Sequence, residues 1–208
     1  MKKRSFITAI SALIILFSLT GCVRVVQIGH EGDITGNKTF NADQTVESFW
    51  QTKALPELTK KAVNLSQLLA ESHNDLTSQK EKYGQNDKAI YVVKGQGTIT
   101  TVDTKNKAGY LVLKLDDYNG PATIELQIGS VYKGSAVRDS LSFIKYEDYK
   151  NQVAWAKIAQ SIHTVIDKTV IKKQNITELT GKTISFVGCF SANTPKEILI
   201  TPVELTVK

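Results

Sequence analysis

The densest run of chemically useful side chains is Gln127-x-Gly129-x-x-x-Lys133-Gly134-x-x-x-Arg138-Asp139. Its glycines let backbone N–H groups approach a ligand closely. Its guanidinium presents a planar fork to a carboxylate, a phosphate or vicinal hydroxyls. Asn151-Gln152 follows and adds two amides. Gln127, Gly129, Lys133, Gly134, Arg138, Asp139, Asn151 and Gln152 are therefore the candidate ligand- or partner-binding residues. Each has a plainer alternative. Arg138 and Asp139 can hold their own loop as an ion pair, and the amides can satisfy loop backbone groups. Tyr149 and Trp155 can stack on a sugar ring, yet at helical spacing in an apolar stripe they also read as core.

The other groups with catalytic potential do not assemble. His30, His73 and His163 lack a partner at metal-ligand spacing, so neither a metal nor a cofactor is expected. Ser135 and Ser140 have no nucleophile-elbow frame and no neighbouring base. Glu147 and Asp148 are adjacent, and adjacent helix residues diverge. Gly95-x-Gly97 lies inside a strand pattern, without the third glycine or following helix of a nucleotide loop. The chain reads as a non-enzyme.

The N-terminus carries an address. Lys2, Lys3 and Arg4 precede an apolar run, Phe6 to Phe17, that is short for a membrane span. Leu19-Thr20-Gly21-Cys22 follows and resembles the bacterial lipobox. This predicts a signal peptide over residues 1–21 and lipid attachment at Cys22, with diacylation on the thiol. The product is expected on the extracytoplasmic side of the cell membrane, periplasmic if the cell has an outer membrane, with the membrane as partner through that lipid. After Cys22 no segment is long and apolar enough to cross a bilayer.

Charge and cysteine content narrow the partners. The chain has 26 Lys+Arg and 20 Asp+Glu, a net +6, but three of the cations sit in the leader. Removing them leaves 23 against 20, or +3, too little to argue for nucleic acid. With Cys22 acylated, only Cys189 remains, so an intramolecular disulfide is excluded. Cys189 sits in Phe186-Val187-Gly188-Cys189-Phe190 and reads as a buried thiol behaving as a small hydrophobe.

These groups must be positioned by recognisable elements. Residues 22–42 read as a tether, with Val23 to Ile28 able to add an edge strand. Residues 43–84 read as a helical segment with Asp43 as N-cap and Pro56 opening a second helix in its first turn. Leu58, Ala62, Leu65, Leu68, Leu69 and Leu76 then track one face, and Gly84 closes the helix as a C′ residue. From residue 88 to 208 the period changes. Strands are expected over 90–102, 109–115 and 122–128, a helix over 146–166, and strands over 183–190 and 198–207. Gly95 and Gly97 permit a bend in the first strand, and Pro202 marks an edge or bulge in the last. Three strands, a helix and two strands is the element order of an OB-fold. The fold class is thus α+β: an OB-fold-like five-stranded β-barrel with an N-terminal helical segment.

Short motifs spread over residues 46–205 carry a family resemblance. They are Trp50 with Pro56-x-Leu58; Lys82-Tyr83-Gly84; Val93-Lys94-Gly95-x-Gly97; Leu126-Gln127-Ile128-Gly129; Lys133-Gly134-x-x-x-Arg138-Asp139; Asn151-Gln152-x-x-x-Ala156; and Thr201-Pro202-Val203. In order and spacing they resemble the domain of unknown function 2291 family, predicted periplasmic lipoproteins. Ser130-Val131 departs from the proline expected after Gln127-Ile128-Gly129, which alters the loop there. The resemblance implies an accessory or adaptor role beside components of sugar-uptake ABC transporters. The alternative is a lipoprotein that binds a small carbohydrate-like ligand through the Arg138 loop.

The lipid anchor has a direct test. Mass spectrometry of the mature N-terminus should find acylated Cys22, and Cys22→Ala should leave an uncleaved, unacylated precursor. A free thiol at Cys22, or a different first residue, would overturn the assignment.

Overall fold

One long strand organises the molecule. The computed structural model describes residues Phe40–Ala192 and Glu197–Lys208. Cys22 and the strand expected over 23–28 lie outside the described residues. Strand β1, Ile90–Asp103, is followed by β2, Tyr110–Leu115, and β3, Thr123–Gln127; β4, Thr183–Ser191, and β5, Glu197–Val207, end the chain. β1 pairs antiparallel with β4 through its first half and with β2 through its second. β2 pairs with β3, β3 runs parallel to β5, and β5 pairs with β4. The order β1-β2-β3-β5-β4 thus returns to β1 and closes the five-stranded barrel that the element order predicts.

The bend in β1 falls at Gly97. This residue pairs with Leu115 on one side and Ile184 on the other. A Cβ there would stand 2.5 Å from the Lys114 carbonyl oxygen, closer than any side chain tolerates. A bulge follows between Ile99 and Thr101 and turns the strand further toward β2. Pro202 also sits at a bulge. Gly188 faces Pro202 while Val187 faces Glu204, which leaves Val203 as the extra residue.

Alternation of side chains fills the barrel. Leu111, Leu113 and Leu115 are buried, whereas Val112 and Lys114 point outward, as period two requires. Ile90 to Val93 departs from alternation and is buried throughout. Both faces of that stretch are covered, because the helices Leu55–Lys61 (α2) and Ala136–Ser140 (α5) lie against β1 and β4.

The helical segment differs from its sequence reading in four places. Asn41, not Asp43, caps α1 (Ala42–Phe49): its side chain accepts the Gln44 N–H at 3.0 Å. Asn41 is extended while Asp43 already lies in the first turn, where its carboxylate accepts from the Ser161 hydroxyl at 2.6 Å. Pro56 does open α2, but a π-turn, Trp50–Ala54, joins α1 to α2 without a break. The leucine stripe is spread over several short elements. After α2, Val63–Asn64 pair in parallel with Val93–Lys94 of β1. Asn64 then caps α3, Leu65–Ser72, and a 3₁₀ turn, Leu76–Gln79, leads into α4, Lys80–Tyr83. The stripe is still buried, because each short helix presents the same face inward. Gly84 is extended; the left-handed residue that ends a helix is His73, at φ 46°.

The helix expected over 146–166 starts later. Tyr146–Asp148 form a single 3₁₀ turn, and α6 spans Gln152–Ile166 behind an Asn151 cap. Its buried face is Ile158, Ala159, Ile162, Val165 and Ile166, and Val153 on the opposite side is 58% exposed. The short α5 between β3 and α6 has no counterpart in the sequence reading. Among the described residues no helix is long and apolar enough to cross a membrane.

Candidate functional site

The eight candidate residues separate into three structural devices. Gln127, the last residue of β3, is 2% exposed. Its amide nitrogen donates to Thr201 Oγ1 at 2.8 Å and to the Lys133 carbonyl at 3.2 Å, and its oxygen accepts the Lys133 N–H at 2.6 Å. One side chain therefore closes the 127–133 loop and ties it to β5. Gly129 lies against the turn after β1; a Cβ there would stand 2.1 Å from the Lys107 carbonyl oxygen. Lys133 and Gly134 are exposed, Gly134 at φ +83°, where glycine avoids strain.

Arg138 forms the second device. It is 8% exposed, and its guanidinium is engaged on every side. Nε reaches Asp139 Oδ1 at 2.8 Å and Nη2 reaches the same oxygen at 2.7 Å. Nη2 also donates to Ser135 Oγ at 3.0 Å, and Nη1 to the Trp155 carbonyl at 3.1 Å. The plane lies over the Trp155 ring, 3.9 Å from its centroid. Ser135 completes the circuit by donating to Asp139 Oδ2 at 2.7 Å. These bonds pin α5 to α6. They show a charge held by fixed partners, the arrangement that the structural alternative for Arg138 requires.

The third device is the start of α6. Asn151 accepts the Ala154 N–H at 2.9 Å as N-cap, and Gln152 beside it is exposed. The amides thus sit on one end of α6, while Arg138 contacts the helix one turn further along, at Trp155.

Around Trp155 the aromatics gather. Tyr146 meets its ring edge-on at 5.8 Å and Tyr149 meets it tilted at 5.3 Å. Arg138 covers one face of the indole, and Tyr146 stays 45% exposed. Two turns on, His163 stacks on Tyr132 at 4.7 Å. Burial, and then the positive charge of Arg138, hold the His163 imidazole down to about 4. Burial pushes the Cys189 thiol up to about 12, which leaves it protonated and inert.

Sequence reasoning missed Ser135, Thr201 and the Trp155 carbonyl as partners. Ser135 is separated from Arg138 by three residues, a spacing that only the unforeseen α5 turns into contact. Thr201 meets Gln127 only through the β3–β5 arrangement. Carboxylates of β1, β3 and β5 lie near Tyr110 of β2, and Lys133 lies near one of them, Glu125. Asp103 first, then burial, then Glu125 and Glu197 raise the Tyr110 pKa. Burial, and then Glu197, raise that of Glu125.

Two measurements test this picture. Arg138→Ala should cost roughly 3 kcal/mol, because it removes a buried cation and leaves the partly buried Asp139 carboxylate without its charge partner. Arg138→Lys should recover only part of that, since lysine keeps the charge and loses the fork. Denaturation beside partner binding decides: unchanged stability with lost binding would make Arg138 a contact residue instead. For His163 the unfolded chain binds more protons between the ordinary pKa near 6.5 and the folded value. Stability should therefore fall as pH drops from about 6.5 to about 4. His163→Gln should flatten the urea midpoint over that window, and an equal slope in wild type and variant would contradict the buried neutral imidazole.

Comparison with known proteins agrees with this architecture. A crystal structure of an OB-fold protein from Thermotoga maritima MSB8 superposes with a TM-score of 0.62 at 14% identity, over 82% of this chain and 100% of that one. At that identity the likeness shows the fold. No curated protein matches the chain. A family model described as a predicted periplasmic lipoprotein matches residues 12–206. With an OB-type barrel and a match over nearly its whole length, the chain belongs to the domain of unknown function 2291 family, and it is an extracytoplasmic lipoprotein held at a membrane.

Proposed function

We propose that this lipoprotein is a non-enzymatic accessory or adaptor protein, diacylated at Cys22, that serves a sugar-uptake ABC transporter at the extracytoplasmic face. The observation that carries the non-catalytic part is the fate of its reactive groups. All three nitrogens of the Arg138 guanidinium are engaged, by Asp139, Ser135 and the Trp155 carbonyl. His163 is held neutral at neutral pH, and Cys189 is sealed. A catalytic acid, base or nucleophile needs access to substrate.

The adaptor part draws on exposed apolar side chains, one of which, Tyr146, touches Trp155. Val131, Tyr146 and Val153 are large apolar side chains left exposed. Aromatic and aliphatic side chains of this kind anchor protein contacts, with partly buried neighbours such as Trp155 as a rigid base. The transporter itself is inferred from the family resemblance. Nucleic acid is an unsuitable partner. OB-folds that bind single strands use a basic groove, and here Asp103, Glu125 and Glu197 lie near Tyr110 of β2.

Co-purification from membranes tests the reading. The acylated wild-type protein, solubilised in detergent, should retain ABC transporter subunits, and Val153→Asp with Tyr146→Ala should release them without loss of fold. Retention unchanged in that double variant, or capture of no transporter subunit by the wild type, would count against it.

A further inference from the structure

The outer face of the barrel carries a groove that lies apart from the Arg138 cluster. Its geometry follows from strand register. Lys94 of β1 faces Val187 of β4, which faces Glu204 of β5. In the next row Gln96 faces Ser185, which faces Thr206. The central strand thus contributes small side chains and its neighbours contribute long or polar ones. The result is a trough along β4, about two strand spacings or roughly 10 Å from wall to wall. Its volume is about 350 Å³, at the small end of ligand sites.

The walls are fixed in place. Gln96 donates to Asp116 Oδ2 at 2.7 Å and accepts from Lys208. Glu204 accepts from the Thr59 hydroxyl of α2 at 3.2 Å. Asn64, whose oxygen caps α3, closes one end. Lys94, Ser185 and Thr206 point into the same space, and their side chains make no hydrogen bond within the described residues. Val187 supplies an apolar floor.

We propose that this trough binds a small uncharged polyhydroxylated ligand. One cation and one anion face each other across it. An anionic ligand would meet Glu204 and a cationic one Lys94. Hydroxyl groups donate and accept, so a polyol can give a hydrogen to Glu204 while it takes one from Lys94. The hydroxyls of Ser185 and Thr206 serve either sense, and C–H groups of the ligand can rest on Val187. Walls held by Asp116, Lys208 and Thr59 need little reordering on binding. The proposal stands apart from the adaptor reading, since it uses a different face and needs no protein partner.

Calorimetric titration of the full-length lipoprotein in a detergent without a sugar headgroup tests it. The probes are D-glucose, D-ribose, myo-inositol and the long zwitterion 6-aminohexanoate. At least one polyol should saturate the protein at roughly millimolar concentration or below. Ser185→Tyr, which fills the trough with a good strand former, should weaken it about tenfold or more. Lys94→Ala, on an exposed position, should also weaken it and serves if Ser185→Tyr fails to fold. The proposal is overturned if no polyol binds, if only 6-aminohexanoate binds, or if both folded variants bind the polyol as wild type does.

Discussion

A single strand serving two neighbours is the constraint on which the rest of this protein depends. β1 is long enough to hydrogen-bond with β4 over Ile90–Thr98 and with β2 from Gly97 onward. It can do both only by bending where the two ladders overlap. Gly97 is the overlap, and the Lys114 carbonyl occupies the space that any Cβ would need. Each ladder bond contributes about 0.5–1.5 kcal/mol net, so misplacing the bend would cost several at once. Barrel closure also decides what the helices can cover. The first half of β1 faces α2 and α5, and the Val63–Asn64 pair adds to its edge beyond the barrel.

Much of this was legible in the chain, for physical reasons. Strands announce themselves by period two, and Leu111, Leu113 and Leu115 keep it. Glycine and proline carry backbone meaning that context rarely overrides, so Gly97 and Pro202 fall at irregularities as expected. The helical segment was less legible. A stripe at spacings of three, four and seven says which face is buried, but a run of short helices satisfies it as well as one long helix. What breaks the run is tertiary: Val63 and Asn64 find partners on β1, and a cap two residues before the expected one leaves Asp43 free to reach Ser161.

The polar residues teach a related lesson. Spacing along the chain brought Gln127 and Arg138 into one cluster, and folding sent them to different tasks. Gln127 closes a loop onto β5, and Arg138 fastens one helix to another. Both lie where water is excluded, and there an unsatisfied polar group is costly enough to recruit every neighbour. The trough on β4 shows the reverse. Lys94, Ser185 and Glu204 are far apart in sequence, and they share a space only because register aligns three strands. Its one signal in the sequence is a polar residue at alternate positions of otherwise apolar strands.

Cys189 adds a consequence for the life of the protein outside the cytoplasm. Its thiol is fully enclosed between the barrel and α5, with a proton that ordinary pH does not remove. Extracytoplasmic compartments oxidise thiols, and oxidation begins with the thiolate. Once the protein is folded, this thiol is therefore out of reach of disulfide-forming catalysts. During export it is not, because the unfolded thiol is accessible. The order of events then matters: barrel closure has to outrun oxidation, and a chain that loses that race carries a modified sulfur its own interior has no room to accept.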